Sequence, residues 1–260
     1  MRFIALFIML SNLWGQTLTD YLRSPIKWSL GLTNGYDNNV LRLSTNEKND
    51  AALNQTILGG TKTFDSHYVR FSLSGLKKIQ LREREKQIQF FAKGNISNYI
   101  QYKRRQYWSG YVKTSYHWGA YRRLEYMLRH LDNYYMRHYK DLDISVNHLF
   151  SCSFTDREQR LLISHPIKLR LWVTGSISYT QRYYNRSFTE FDSDIITTTL
   201  KVSKKIRDFG TISLEGLYGI ADNITFSKGA KSSDLDRSYR HRELYLPLSY
   251  DQGMLGFESV

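Results

Sequence analysis

Ile167-Lys168-Leu169-Arg170-Leu171-Trp172-Val173-Thr174-Gly175-Ser176-Ile177-Ser178-Tyr179-Thr180 decides how the chain is read. Its odd positions are apolar apart from Gly175, and its even positions carry Lys168, Arg170, Trp172, Thr174, Ser176, Ser178 and Thr180. At about 100° per residue the apolar side chains would scatter around a helix, whereas at about 180° they share one side. The spacing predicts a strand. Globular strands average roughly 5 or 6 residues, while a tilted strand that crosses a bilayer needs about 9 to 11. A strand of this length points to a membrane-spanning one.

Other stretches repeat the pattern. Ile26, Trp28, Leu30 and Leu32 alternate with Lys27, Ser29, Gly31 and Thr33; Val69, Phe71 and Leu73 with Arg70, Ser72 and Ser74; Val112, Thr114, Tyr116 and Trp118 with Tyr111, Lys113, Ser115 and His117. Arg122 to Tyr139 predicts an unusually long strand, and Asp143 to Thr155 sets Ile144, Val146, His148, Phe150, Cys152 and Phe154 on one side. Further strands are expected over Leu53–Phe64, Gln87–Lys93 and Ile96–Tyr102 (a hairpin about Gly94-Asn95), Ile195–Ile206, Thr211–Ile220, Ser238–Tyr250 and Met254–Val260. Residues 156–166 read as a charged connection. Short and long connections tend to alternate along the chain.

The first strand runs into Gly35-Tyr36-Asp37-Asn38-Asn39-Val40 and then a loop rich in Asn and Asp. An aromatic-bearing first strand ending in such a turn resembles Gram-negative outer-membrane β-barrel proteins, a broad porin-like group. The resemblance implies an architecture and a compartment, and no catalytic residues. The fold expected is all-β, an antiparallel up-and-down transmembrane barrel of about 12 to 14 strands. Bacterial barrels favour an even count and close with a complete last strand; the chain stops at Glu258-Ser259-Val260, which leaves that strand short or missing.

Residues 1–16, with basic Arg2, apolar Phe3 to Leu10 and a polar exit, have the layout of a secretory signal peptide. Residues 17–260 then form a single domain, since no linker-like composition divides them. The formal charge is +13, of which the leader holds only Arg2. An exported chain with basic residues spread over alternating strands argues for outer-membrane lipid, lipopolysaccharide or small anionic solutes as partners, and against nucleic acid. The lone Cys152 can form no internal disulfide and reads as a small apolar residue.

A soluble sandwich or lipocalin-like can would show the same alternation. Lipid-crossing strand lengths, polar faces full of Lys, Arg, Ser and Thr, and aromatic residues near strand ends favour the barrel. The expected interfacial girdle is Trp28, Phe64, Trp118, Tyr134, Tyr135, Tyr183, Tyr184 and Tyr250. The polar faces would then gather Lys27, Arg70, Lys113, Arg123, Arg129, Lys168, Arg170, Lys201 and Lys205 around a lumen, with Glu125 and Glu215 as counterweights. Such a lumen predicts a pore for small anions, or a narrow barrel filled by ion pairs, depending on strand number. The other function class is a structural or interaction barrel, an adhesin or envelope-assembly part, that acts through its outer loops.

No enzymatic chemistry is expected, and no cofactor or metal. The histidines lack H-E-x-x-H or Cys/His spacing, and no Gly-rich phosphate loop is present. His130-Leu131-Asp132 and Ser164-His165 are the nearest candidates for a hydrolytic pair.

Overall fold

The computed structural model describes residues 24–53, 55–81, 85–140, 148–207, 209–225 and 235–250. The expected leader and the strand Met254–Val260 lie outside them. No helix among the described residues is long and apolar enough to cross a membrane.

Strands β1 (Ile26–Asp37), β2 (Ser66–Gln80), β3 (Lys86–Tyr99), β4 (Tyr107–Trp118), β5 (Arg123–Lys140), β6 (Leu149–Lys168), β7 (Leu171–Tyr184), β8 (Ser193–Ile206), β9 (Gly210–Asn223), β10 (Tyr239–Tyr245) and β11 (Leu248–Tyr250) form one antiparallel sheet. Each strand from β1 to β10 pairs with the next, and β11 pairs with β9 beyond Pro247. Proline has no amide hydrogen for the ladder, so β10 and β11 read as one strand broken at Pro247. The up-and-down order is as expected. Among the described residues the count is 11 against the expected 12 to 14, and the sheet is open, since β1 and β10 do not pair.

Four expectations are corrected. Leu53–Phe64 is not a strand: helix α1 (Thr45–Leu53) and the single 3-10 turn Gln55–Leu58 occupy the β1–β2 connection. The expected hairpin at Gly94-Asn95 is the middle of β3, where Phe90, Ala92, Gly94 and Ile96 keep one phase straight through. The stretch Ile167–Thr180 holds a hairpin turn: Lys168 pairs with Leu171, and Arg170 sits at φ 62° in the left-handed region. A two-residue turn alone would swap which parity faces which side, but the register shift between Pro166 and Lys168 restores it. Odd positions therefore face the apolar side in both β6 and β7, and Leu169, 92% exposed at the tip, continues the alternation without belonging to either strand. Residues 156–166, read as a connection, are the middle of β6.

Sidedness is the main property of the sheet. On one face stand Leu30, Phe71, Ile96, Val112, Leu128, Leu161, Ile177, Leu200, Leu214 and Leu244, with Leu30 83%, Leu200 57% and Leu244 74% exposed. On the other, Ser115 is 3%, Glu125 5%, Asp156 3% and Ser203 2% exposed. The polar face is therefore the more buried of the two from β4 to β9, the reverse of a soluble sandwich.

The main buried apolar cluster is small and sits at one end. The connections at that end are long, spanning 38–65, 100–106, 141–148, 185–192 and 224–238; at the other end they are short turns. Val40, Leu41, Leu43, Ala51 and Leu58 from the first connection pack with Tyr99, Tyr102 and Tyr135, flanked by Tyr68 and Tyr107. Tyr68, Tyr99 and Tyr107 lie on the polar face, so the 38–65 segment roofs that face at the long-loop end. Ser44 and Glu47 start α1 as a capping box: the Ser44 amide donates to Glu47 (2.8 Å) and the Glu47 amide to Ser44 Oγ (3.3 Å). Arg137 of β5 then donates to the same carboxylate at 2.8 Å, tying the roof to the sheet.

The Ser44 amide, with Arg137 adding to it, holds the Glu47 carboxyl below its ordinary value. Its contribution is present above the unfolded-state carboxylate value and is lost as pH falls through the folded one. Hydrogen exchange over residues 40–58 should therefore quicken as pH drops below about 4.5 after correction for intrinsic rates; Glu47→Gln should flatten that dependence.

Candidate functional site

The polar face and its roof hold the charged side chains that a function could use. Cross-strand register brings Lys27, Arg70, Lys113, Arg123, Arg129, Lys201 and Lys205 onto this face. Lys168 and Arg170 are not among them: both are exposed at the β6–β7 turn, outside any interior.

The basic residues are largely compensated. Lys113 Nζ lies 3.4 Å and Arg160 Nη2 3.8 Å from the Glu125 carboxylate. Arg129 pairs with Glu158 at 2.7 Å and Lys201 with Glu215 at 3.3 Å. Arg182 donates to both oxygens of Asp156 at 2.8 Å, and its guanidinium lies 4.4 Å from the centre of the Phe154 ring. Arg70 uses hydroxyls instead, donating to Ser97 at 2.9 Å and to Tyr107 at 3.4 Å. Charges taken from water are tolerated when paired and hydrogen-bonded, and every acid in these pairs sits directly across the ladder or, for Glu125, two residues along the same face.

Asp156, Glu158 and Arg160 were missed from the sequence because 156–166 read as a connection, and Arg182, beyond the end of the stretch Ile167–Thr180, was missed with its partner Asp156. Their signal is there in retrospect: Asp156, Glu158, Arg160, Leu162 and Ser164 alternate with Arg157, Gln159, Leu161, Ile163 and His165, with no turn residue between them.

Arg105 is the other residue missed. It is 2% exposed, and its Nη1 donates to the Val40 (2.8 Å) and Tyr135 (3.0 Å) carbonyls. Its Nη2 donates to the Tyr134 hydroxyl, and the guanidinium faces the Tyr134 ring at 4.3 Å. One side chain thus joins the roof to the β3–β4 connection and to β5. Beside it His138 bonds Arg104 (2.7 Å) and the Tyr135 hydroxyl (2.6 Å), and burial together with Arg104 holds its imidazole below the ordinary value.

The expected girdle divides. Trp28 and Trp118 stand on the apolar face, and Tyr183 shares its phase. Phe64, Tyr134, Tyr135 and Tyr184 do not form a girdle. Phe64 packs on the roof cluster, Tyr135 is 3% exposed, and Tyr134 and Tyr184 both meet Phe154 on the polar side. Tyr250 closes β11. Cys152 is buried in the same region, near Phe188 of the 185–192 connection.

Neither hydrolytic candidate assembles a triad. Ser164 and His165 point to opposite faces, and Ser164 accepts from Thr174 at 3.0 Å. His130 and Asp132 stand 3.7 Å apart, with His130 on the apolar side against Trp108. Among the described residues no three His, Cys, Asp or Glu side chains come together as a metal site.

Removing one member of the Asp156–Arg182 pair leaves a buried charge alone. Arg182→Ala should cost about 3 to 5 kcal/mol, read as a fall in unfolding temperature, and Asp156→Asn should lower it less. Burial pushes the Cys152 thiol up to about 12, so the native protein should resist maleimide at neutral pH and react once unfolded. No known family, curated protein or solved structure matches this chain.

Proposed function

We propose that the chain is an outer-membrane β-barrel, closed by pairing of β1 with β10–β11, whose interior is filled by ion pairs and which works through its long-loop end as a structural or interaction barrel. The observation that carries this reading is the inverted polarity of the sheet. From Ile26 to Leu32, Val69 to Gly75, Ile88 to Ile96, Trp108 to Tyr116, Leu124 to Leu128, Val173 to Tyr179, Ile196 to Val202 and Ile212 to Ile220, the positions on the apolar face hold no Lys, Arg, Asp or Glu. Ile88 to Ile96 covers roughly 27 Å of strand. Tilted as barrel strands are, that is on the order of 20 Å of height, close to the apolar band of about 25 Å on outer-membrane barrels.

The band also runs obliquely to the hydrogen-bonded rows. Trp28, low on β1, shares a row with Gly75, Ala92, Val112, Leu128, Gln159, Tyr179, Ile196 and Ile220, and Ile220 is the last apolar position of β9 before Asp222. A level band on tilted strands requires that drift, and closure requires the tilt. The edges also suit closure. With ten strand positions β1 and β10 run antiparallel, and both carry exposed leucines, Leu30 and Leu244.

Ten strands stand near the limit of about eight at which side chains fill a barrel, well below the 16 to 18 of open porins. The paired charges and the 38–65 roof favour a closed interior. A narrow anion path is the second reading, favoured by Lys27, Lys93 and Arg123, which have no carboxylate within ion-pair distance among the described residues.

Spin labels on Leu30→Cys and Leu244→Cys, in a Cys152→Ser background, test closure. After reconstitution they should stand a few strand spacings apart, each about 4.8 Å; a separation across the whole sheet would sink the barrel. In planar bilayers the protein should show little conductance. Steady anion-selective currents would select the second reading instead.

A further inference from the structure

The row above the Trp28 row on the apolar face changes character along its length. It runs Leu30, Leu73, Gly94 and Gly110 and then His130, Arg157 and Gln181. Gly75 and Ala92 lie beneath it, so the wall of β2 to β4 is nearly bare of side chains here. A Cβ on Gly94 would meet nothing within 4 Å, while the Trp28 ring lies across Gly75, where a Cβ would stand 2.9 Å from it. The result is a groove of about 1180 Å³ between Trp28 and Trp108, floored by the glycines.

The groove is apolar along most of its course and cationic at one end. His130 stacks on Trp108 with ring centres 4.7 Å apart, and Arg157, Gln159 and Gln181 complete that end. The acids beside Arg157 in sequence, Asp156 and Glu158, face the other side of the sheet and are taken by Arg182 and Arg129. Acids on the apolar side are Asp132, which stands 3.7 Å from His130, Asp194, which accepts from the Tyr179 hydroxyl at 2.8 Å, and Asp222 across from Asp194 on β9, which accepts from the Ser238 hydroxyl at 3.4 Å. Arg157 is exposed and has no carboxylate within ion-pair distance among the described residues.

We infer that this groove seats an acyl lipid with an anionic phosphate headgroup, its chain along the glycines between Trp28 and Trp108 and its phosphate on Arg157. The inference rests on the membrane reading above. An apolar chain suits a trough without polar side chains, and a phosphate suits a planar guanidinium that no protein acid occupies. Because the rows climb obliquely out of the apolar band toward β7, the cationic end lies where a headgroup layer would be, on the long-loop side.

Trp28 and Trp108 supply the readout. The full chain is reconstituted into phosphatidylcholine vesicles doped with brominated phosphatidylglycerol or brominated phosphatidylcholine, and quenching is assigned with Trp28→Phe and Trp108→Phe. Quenching should favour the anionic lipid by about fivefold in apparent affinity, the ratio one basic side chain near an anionic surface supplies. Arg157→Gln should bring that preference close to one. Gly94→Phe, which fills open space, should weaken quenching by both lipids at Trp28 and Trp108. Equal quenching by both lipids in the native chain, or an unchanged preference in Arg157→Gln, overturns the seat while vesicle flotation still upholds the membrane reading. A chain that fails to float with vesicles overturns both.

Discussion

A sheet face with no protein against it is the constraint from which the rest of this molecule follows. Leaving a Leu or Phe side chain in water rather than burying it forfeits roughly 1.5 to 3 kcal/mol. Leu30, Leu32, Phe71, Ile96, Leu200 and Leu244 are six of the many so exposed, and together such a face forfeits tens of kcal/mol in water. Domains are stable by only about 5 to 15 kcal/mol. The face therefore needs an apolar medium or partner, and its extent from β1 to β9 with no Lys, Arg, Asp or Glu in the band suits a continuous medium better than a single partner, while β10 brings Arg240 and Arg242 onto the same face at the sheet edge. The polar face is bound by the complementary constraint: once inside, Glu125, Asp156 and Glu158 are stable only beside Lys113, Arg182 and Arg129.

Glycines mark where the two faces adapt to one another. On the apolar face Gly94, Gly175 and Gly216 open space that nothing fills. On the polar side the same residue type makes room: an added Cβ at Gly219 would collide with His241 across the ladder, and one at Gly35 with Tyr68. Absence of a side chain thus serves packing on one side and shapes the surface on the other. That division fits a wall whose inside is crowded and whose outside meets a fluid.

Alternation made most strands legible. β1, β2, β4, β5 and β8 were readable because each contrasts apolar with polar over several residues. The turn at Leu169-Arg170 was not, because neither residue is Gly, Asn or Asp and the bulge between Pro166 and Lys168 cancels the parity swap of a two-residue turn, so the pattern runs through unbroken. β6 was obscured for a different reason. Its middle is charged on both faces, with Asp156 and Glu158 inside and Arg157 outside, so hydropathy carries no contrast there. The roof was equally hidden: Val40, Leu41, Leu43, Ala51 and Leu58 have neither strand nor strong helix periodicity, and only tertiary packing on Tyr99, Tyr102 and Tyr135 orders them. The polar side was anticipated from its basic residues, whereas its acids mattered as much and lay in the segment set aside as a connection.

The asymmetry of the two ends bears on where any partner could act. The apolar band holds no Lys, Arg, Asp or Glu from β1 to β9 and most polar-face charges are paired, so beyond the groove that ends at Arg157 the surface able to give specificity lies at the ends. At the short-turn end the chain reverses within a few residues, as at Leu169-Arg170 and at Gly119 to Arg122, where Tyr121 stacks on Trp172 at 4.3 Å. Such turns present little adaptable surface. The opposite end has a buried core of its own, and Arg105 ties two connections of the chain to strand β5 through the Val40 and Tyr135 carbonyls and Tyr134. A guanidinium buried at 2% exposure among backbone carbonyls fixes geometry rather than adding surface charge. Structure of that kind at a loop end is what a preorganised recognition surface requires, and an open vestibule would have no use for it.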